Sequence, residues 1–316
     1  MDVLVVGGGV SGLTCALRLR EHGLAVALWA RELPPRTTSN VAAAFWYPYK
    51  AEPPSRVLGW AATSHRRFVA LAGEHGTGIR VRPAIEILRE RRARPWWADA
   101  LPALRDAAPH ELPPGAAFGW AFEAPVIDTR VYLPWLLARL EHAGVGVEQR
   151  VLTRLDDAPA GIVVNCAGLG ARELCGDTGL YPIRGQLVHV RDPGVDAIVI
   201  DEDDPRGMSY VVPRGDDCVL GGSADEGDED LRARPELADA IIARCQALVP
   251  ALAGATRLAD VVGLRPGRAS VRLEAERREG RTIVHDYGHG GAGVTLSWGC
   301  AEEVAALVLQ ARAGPP

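Results

Sequence analysis

The sequence predicts an α/β protein with a Rossmann-like dinucleotide-binding unit and a second, β-rich unit. Three observations support this prediction. A strand, a glycine turn and a helix follow one another at the amino terminus, and a similar junction stands near the carboxyl terminus. Between them lie several short segments in which apolar and polar residues alternate, as in half-buried strands.

The amino-terminal junction is the glycine turn at residues 7–12, read as GGGVSG. An apolar run at 2–6 precedes it, apolar residues at helical spacing continue to Gly23, and a second apolar run at 25–29 completes a βαβ unit. Gly7 permits the tight turn, Gly9 lets the backbone approach a pyrophosphate, and Gly12 lets the helix pack closely on the strand.

This context favours a dinucleotide site over a purely structural turn. Amides at the start of the helix point at the phosphates, and the helix dipole adds roughly 0.3 to 1 kcal/mol for each nearby negative charge. The acid expected near the end of the second strand, where it would hold the ribose hydroxyls, is missing. Arg31 stands there instead, with Glu32 next.

Composition limits the classes of function. The chain has 316 residues, 47% of them hydrophobic, and a net charge of −5, so it can form a packed core and is a poor partner for nucleic acid or an anionic membrane. No charged and apolar leader precedes the first strand, and no apolar run is long enough to span a bilayer. Lys50 is the single lysine among 35 basic residues, which favours a GC-rich bacterial source.

The six cysteines are scattered and include no CxxC pair. Buried free thiols are therefore favoured over a disulfide framework, and no metal site is predicted. A reducing cytoplasm is the expected location.

In the first half of the chain, hydroxyl residues at 36–40 precede small residues that begin a predicted helix at 41. Capping that helix is the favoured role of these hydroxyls, with binding of phosphate or ribose oxygens as the alternative. A helix is then predicted over 53–75, a strand pair over 78–89, separate strands over 118–122 and 124–127, a helix over 129–144 and a strand over 145–148. The stretch 94–114 resists assignment.

In the second half, an apolar strand at 161–170 ends in glycines and indicates a return to the nucleotide-binding sheet. Strands are predicted over 186–190, 197–200, 208–212 and 218–220, and a helix over 235–248. The acidic run at 225–230 is typical of a solvated loop. The segment 282–295 again joins a strand to a glycine-rich turn, and a helix over 294–310 follows, so one ligand held from both sides is predicted.

Four blocks of the chain resemble the D-amino-acid oxidase family of FAD-dependent flavoenzymes: residues 7–12, 37–49, 164–186, and 262 to the carboxyl end. The most specific is HDYGHGGAG at 285–293, followed by WGCA at 298–301. The resemblance implies a Rossmann-like FAD-binding domain at 1–48, 140–184 and 258–316, interleaved with a β-rich substrate domain at 49–139 and 185–257.

The resemblance also implies which residues bind FAD. The first and last glycine turns are expected at the pyrophosphate and at the flavin, where backbone amides would stabilise negative charge on the reduced ring. The expected cofactor residues are Gly7, Gly9, Val10, Ser11, Gly12, Arg31, Thr37, Thr38, Ser39, Ala43, Ala44, Leu152, Cys166, Gly168, Gly263, Gly290, Gly291, Ala292, Gly293, Val294 and Thr295.

For the substrate, the family pattern matches Arg265 in a Gly-Leu-Arg-Pro turn and Tyr210 in a Tyr-Val-Val-Pro strand. Arg265 would take the α-carboxylate bidentately, and the Tyr210 hydroxyl would make a second contact. The Gly291 carbonyl would accept from the amine, and Tyr49 would line the pocket. A surface ion pair for Arg265 and simple packing for Tyr210 are the structural alternatives.

The resemblance implies oxidation of D-amino acids to 2-oxo acids, ammonia and hydrogen peroxide, with molecular oxygen as the second substrate, and it allows a homodimer. A glycine- or sarcosine-type oxidase, a flavin dehydrogenase and a non-catalytic dinucleotide-binding protein are the alternatives. Arg206 stands where animal members have a second pocket tyrosine, so either it is solvated or it favours acidic side chains. Asp225 and Glu226 would favour basic ones.

Overall fold

A computed structural model describes residues 1–49 and 51–313 of the protein. Two parts of the chain lie outside the described residues. They are Lys50, the single lysine, and residues 314–316, at the end of the predicted FAD-binding domain.

The described chain contains strands and helices in an interleaved order. The strands are β1 (Val3–Val6), β2 (Val26–Ala30), β3 (Ile79–Leu88), β4 (Arg105–Asp106), β5 (Phe118–Ile127), β6 (Gly146–Gln149), β7 (Ile162–Asn165), β8 (Tyr181–Arg191), β9 (Ile198–Asp201), β10 (Ser209–Pro213), β11 (Asp217–Gly221), β12 (Asp225–Glu226), β13 (Arg257–Gly267), β14 (Arg272–Arg278) and β15 (Arg281–Tyr287). The α-helices are α1 (Val10–Glu21), α2 (Thr38–Val41), α3 (Pro54–Ala72), α4 (Thr129–His142), α5 (Ala171–Leu174), α6 (Pro235–Leu248) and α7 (Gly293–Ala313).

The first sheet has six strands in the order β14-β15-β7-β1-β2-β6. All neighbours from β15 to β6 run parallel, and β14 is the antiparallel edge. Val3 and Val5 pack on one face, in the core with α1 and α7, while Leu4 and Val6 pack on the other. Cover on both faces explains why β1 is apolar throughout, as the sequence predicted.

The second sheet has nine strands, and its path is β12-β8-β11-β10-β9-β3-β5-β4 with β13 also paired to β8. Its strands alternate between two environments. Val211 packs under α6, whereas Tyr210 and Val212 face the core shared with the first sheet. The alternation predicted from the sequence therefore corresponds to two buried faces of unlike composition.

Three predictions of local structure were wrong. The expected strand pair at 78–89 is the single strand β3, and the two expected strands at 118–127 are the single strand β5, because β3 and β5 pair antiparallel along their whole lengths despite Pro83 and Pro125. The hydroxyl residues do not precede a helix at 41. They form α2 themselves, with Thr37 as its cap and a reciprocal bond to Asn40.

The predicted domain boundaries remain a prediction. β13, which a boundary at 258 assigns to the FAD-binding domain, pairs with β8 in the nine-stranded sheet. All six cysteines are free thiols. Among the described residues, no helix has both the length and the apolar character needed to cross a bilayer.

Close packing joins α7 to α3. A Cβ atom added to Gly299 would overlap the backbone of Trp60, and the Gly299 amide donates to Ser64 Oγ at 2.9 Å. We therefore expect Gly299→Ala to lower the free energy of unfolding by about 1–3 kcal/mol, as overpacked cores do.

Gly59, one residue before Trp60 in α3, is the matched control because an added Cβ would meet nothing within 4 Å. Gly59→Ala should stabilise the helix by about 0.5–1 kcal/mol. Urea denaturation followed by circular dichroism measures both variants. Equal stability of the two would show that α3 and α7 do not pack in this way.

Candidate active site

One cavity of about 450 Å³ lies at the carboxyl ends of four parallel strands of the six-stranded sheet. Val6, Ala30, Cys166 and Tyr287, which end or follow these strands, lie on its wall. Ligands of open α/β sheets bind at this edge, and the volume is within the range of small-molecule pockets. Residues of β8, β9, β10 and β13 close the cavity from the second sheet.

The amino-terminal glycine turn is compact because side chains would not fit in it. Gly7 has φ +128°, and an added Cβ there would overlap the Cys166 carbonyl. Gly12 is buried and is not part of the cavity wall. The absence of a side chain at Gly12 leaves room for the Gly7 carbonyl. Gly12 therefore serves the helix packing that the sequence suggested rather than contacting the cavity.

The start of α1 faces the cavity with few partners of its own. Gly9, Val10 and Ser11 are on the wall, the cap residue Gly9 supplies no side-chain bond, and the first turn carries no acidic residue. The Val10 amide donates to Ser39 Oγ at 3.0 Å, which ties the hydroxyl segment to the turn. Free amides at a helix start form an anion site.

The end of the cavity near β2 contains Arg31 and Glu32, with Leu152 opposite. Glu32 Oε2 accepts from Arg36 Nε at 2.6 Å, and Arg31 lies 3.7 Å from Glu173. An acid that binds the ribose was expected at the end of β2, where Arg31 stands. Glu32, one residue later, is an acid on the cavity wall next to that position.

The carboxyl-terminal glycine turn forms the opposite wall through Gly290, Gly291, Gly293, Val294 and Thr295. The Thr295 hydroxyl donates to the Tyr47 carbonyl at 3.0 Å, which fixes the start of α7 beside the aromatic segment.

Ala292 departs from the prediction. It is buried off the wall, and its amide donates to the His289 carbonyl at 3.0 Å. Its amide is therefore used inside the turn and is not directed at a ligand.

Arg265 and Tyr210 both lie on the cavity wall. Arg265 Nη1 donates to the Ser223 carbonyl at 3.0 Å. Burial raises the pKa of Tyr210, and the nearby charge of the Arg265 guanidinium opposes this rise. A Cβ on Gly185 would overlap this guanidinium, so the glycine gives it room. The ion pairs formed within residues 1–49 and 51–313 include none to Arg265, which argues against a surface ion pair as its role.

Tyr49 lies between the charged groups at this end. Its ring is packed against Gly291, where an added Cβ would come within 2.6 Å of Tyr49 Cδ1. Burial, and then the charge of Glu202, raises the pKa of Tyr49 to about 12, while Arg265 lowers it. Tyr49 is therefore a neutral phenol at physiological pH.

The remaining predicted cofactor residues are also on the wall, and several residues there were not predicted. On the wall are Thr37, Thr38, Ser39, Ala43, Ala44, Cys166, Gly168 and Gly263. The unpredicted wall residues of the substrate end are Phe45, Tyr47, Gly185, Leu187, Ile200, Glu202 and Met208. Ile200 and Leu187 were assigned to strands, and only the pairing of those strands shows which face they share.

The charged residues considered for selectivity lie elsewhere. Arg206 is off the wall, its side chain is 57% exposed, and it binds Asp204 at 2.7 Å. The solvated interpretation of Arg206 is therefore the one that fits. Asp225 and Glu226 are also off the wall.

Two groups of buried side chains around Asp286 have donor atoms close enough to hold a metal: Cys15 and Cys166, or His289 and Cys300. Burial raises the pKa of these thiols, and Asp286 already accepts from His289 Nε2 at 2.9 Å and from Cys15. Protonated thiols bound to a carboxylate explain the cluster, and the absence of a metal site stays a prediction.

The residues present fit FAD. The starts of α1 and α7 both reach one cavity, neither helix carries an acid in its first turn, and glycines keep both approaches open. An anionic pyrophosphate would be bound at the first helix start, and a ring that gains negative charge at the second.

Comparisons with known proteins agree with this geometry. The family model described as FAD dependent oxidoreductase matches residues 2–307. A D-amino-acid oxidase of Rubrobacter xylanophilus is 51% identical over 96% of this chain and 94% of its own length. A D-amino-acid oxidase of Streptomyces coelicolor is 46% identical over 97% and 96%.

Among solved structures, glycine oxidase from Geobacillus kaustophilus superposes with a TM-score of 0.81, at 21% identity, over 98% of this chain and 94% of that one. This likeness supports the fold alone. The family match across nearly the whole chain shows that the protein belongs to the FAD-dependent oxidoreductase family and uses FAD.

Proposed function

We propose that the protein is a D-amino-acid oxidase, which converts a D-amino acid and oxygen into the 2-oxo acid, ammonia and hydrogen peroxide. The observation that carries the proposal is that the Arg265 side chain and Tyr210 share one wall of the FAD cavity, with Arg265 Nη1 held by the Ser223 carbonyl. The identities of 46–51% with two D-amino-acid oxidases support the same reaction.

The proposed role of Arg265 is to hold the substrate α-carboxylate. A guanidinium presents parallel N–H donors that match a carboxylate, and the Tyr210 hydroxyl beside it offers another hydrogen bond. Because Arg265 Nη1 is held by the Ser223 carbonyl, the orientation of the fork is set before substrate arrives.

Other residues are proposed to place the reacting carbon. The Gly291 carbonyl would accept from the substrate amine, and Tyr49 packs directly against Gly291. FAD, when bound, would accept the hydride from Cα and pass the electrons on to oxygen. Since orientation supplies much of the rate in such a transfer, no side chain of the site need act as a base.

Aromatic rings are proposed to exclude water from this end. Phe45 stacks on Tyr47 with ring centroids 5.8 Å apart and packs on Tyr210 at the same distance. Burial raises the pKa of Tyr210, so its hydroxyl keeps its proton for donation to a carboxylate. These three rings line the cavity together.

The cofactor residues are likewise proposed. Gly7, Gly9 and Ser11 would hold the pyrophosphate, and Thr37, Thr38 and Ser39 the neighbouring oxygens. Glu32, beside Arg31, is the proposed partner of the ribose. The interleaved domains at 1–48, 140–184 and 258–316, and at 49–139 and 185–257, remain part of the proposal.

A bacterial cytoplasm and a homodimer complete the proposal. Six free cysteines favour a reducing compartment, and both D-amino-acid oxidases compared above are bacterial. A glycine- or sarcosine-type oxidase is the second candidate, since a glycine oxidase shares this fold.

Replacing Arg265 tests the proposed anchor. Arg265→Met should lower kcat/KM for D-amino acids by about 100-fold, mainly through KM, because charge-assisted hydrogen bonds are worth about 1.5–3 kcal/mol each. Oxygen consumption with D- and L-alanine, D-methionine, glycine and sarcosine measures the effect and separates the candidates.

Arg206→Met is the matched control, because Arg206 binds Asp204 away from the wall. It should keep normal kinetics. Unchanged turnover in Arg265→Met, with FAD bound, would remove Arg265 from the site.

Gly185 provides an independent test. Its missing side chain leaves the space that the Arg265 guanidinium occupies. Gly185→Ala should therefore displace the guanidinium and raise KM for every D-amino acid, while the protein retains FAD. Steady-state kinetics beside the flavin absorbance of the purified variant measure this, and a normal KM would contradict the described position of Arg265.

A further inference from the structure

The substrate end of the cavity has a floor made by one row of paired residues. Across adjacent strands, Glu86 is opposite Ile200, Ile200 opposite Tyr210, and Tyr210 opposite Gly221. Paired residues in a sheet point to the same face. Since Ile200 and Tyr210 line the cavity, Glu86 lies on that same face, one strand beyond Ile200.

A second carboxylate stands beside this row. Glu202 follows Ile200 by two positions, just after β9, and it lies on the cavity wall. Burial, and then the charges of Glu86 and Glu202, raise the pKa of the Tyr47 hydroxyl, which is also on the wall. The two acids therefore lie close to Tyr47, at the β9 and β3 side of the sheet, whereas Arg265 belongs to β13, which β8, β11 and β10 separate from β9.

Glu86 is short of partners for a buried acid. Its Oε2 atom is buried and has no hydrogen bond in the described structure. Burial, followed by the charge of Glu202, raises the pKa of Glu86 to about 7, and Asp203 adds to this while Arg92 opposes it. A donor or a cation brought to this point would be stabilised by both carboxylates.

The path from the anchor to the acids suits an unbranched side chain. Neighbouring strands lie about 5 Å apart and positions two apart about 7 Å, so Glu202 Cα is roughly 8 Å from Tyr210 Cα. The side chains of Phe45, Ile200 and Met208 add apolar surface to the same cavity. This arrangement resembles the surroundings of a lysine or arginine, whose three or four methylenes pack on apolar surface beneath a charged head.

We infer that this cavity selects D-amino acids with a cationic group at the end of a three- or four-carbon side chain, with Glu202 as the contact on the wall and Glu86 behind it. The inference rests on the proposed D-amino-acid oxidation. It makes D-lysine, D-ornithine and D-arginine the preferred substrate class and disfavours D-aspartate and D-glutamate, whose carboxylates would face Glu202.

The test compares D-lysine with D-norleucine, which has the same carbon chain without the ammonium group. The wild-type holoenzyme should give a higher kcat/KM for D-lysine. Glu202→Gln should lower the ratio of D-lysine to D-norleucine about tenfold, because it removes a single close charge pair, and leave D-norleucine within about twofold. Glu226→Gln is the charge-matched control, off the wall, and should leave the ratio unchanged.

Charge reversal keeps the test independent of a loss of structure. Glu202→Lys should raise kcat/KM for D-glutamate while lowering it for D-lysine, a gain that a damaged fold cannot produce. Flavin absorbance and the unfolding temperature confirm that each variant is a folded holoenzyme.

These measurements separate the selectivity for cationic side chains from the proposed oxidation of D-amino acids. Oxidation of D-norleucine with no preference for D-lysine, or an unchanged ratio in Glu202→Gln, would overturn the inference while leaving the proposed function intact. An equal fall for both substrates would also overturn it, because Glu202 would then bind the common α-amine. No oxidation of any D-amino acid would overturn the proposed function itself.

Discussion

The structure depends on two helix starts that reach one cavity from different ends of the chain. α1 follows the first strand and α7 the last, and their strands β1 and β15 are separated in the sheet only by β7. Backbone amides and helix dipoles at these positions favour negative charge without using a single ionised side chain. The glycines at 7, 12 and 291 follow from this constraint, because an added Cβ atom would overlap the Cys166 carbonyl, the Gly7 carbonyl or the Tyr49 ring respectively.

The second sheet supplies the side chains proposed to bind the substrate. Its strands present Tyr210, Ile200 and Leu187 on one face, and β13 brings Arg265 beside them. A guanidinium, a phenol and a carboxylate thereby share a wall with apolar side chains. We regard the position of Arg265 relative to Glu202 as the feature that turns a general flavin fold into a site for one kind of amino acid.

Much of this could be predicted from the sequence, and the failures have physical causes. Contiguous motifs such as 7–12 and 285–293 specify local turns, so the helix starts and the wall residues of the two glycine turns followed from them. Gly185 and Glu202 have no motif, since their roles arise from strand register, which places Gly185 opposite Gly263 and Ile200 opposite Tyr210. β3 and β5 were each divided in the prediction, because sequence spacing does not show that long strands pair around Pro83 and Pro125.

The central claim is that FAD and a D-amino acid share this cavity, with the Cα of the substrate at the flavin. The most direct measurement is the visible absorbance of the purified protein under anaerobic conditions, before and after addition of D-methionine or L-methionine. The account predicts an oxidised flavin band that the D-enantiomer bleaches and the L-enantiomer does not. A colourless protein that takes up no FAD, or a flavin band that neither enantiomer changes, would contradict it.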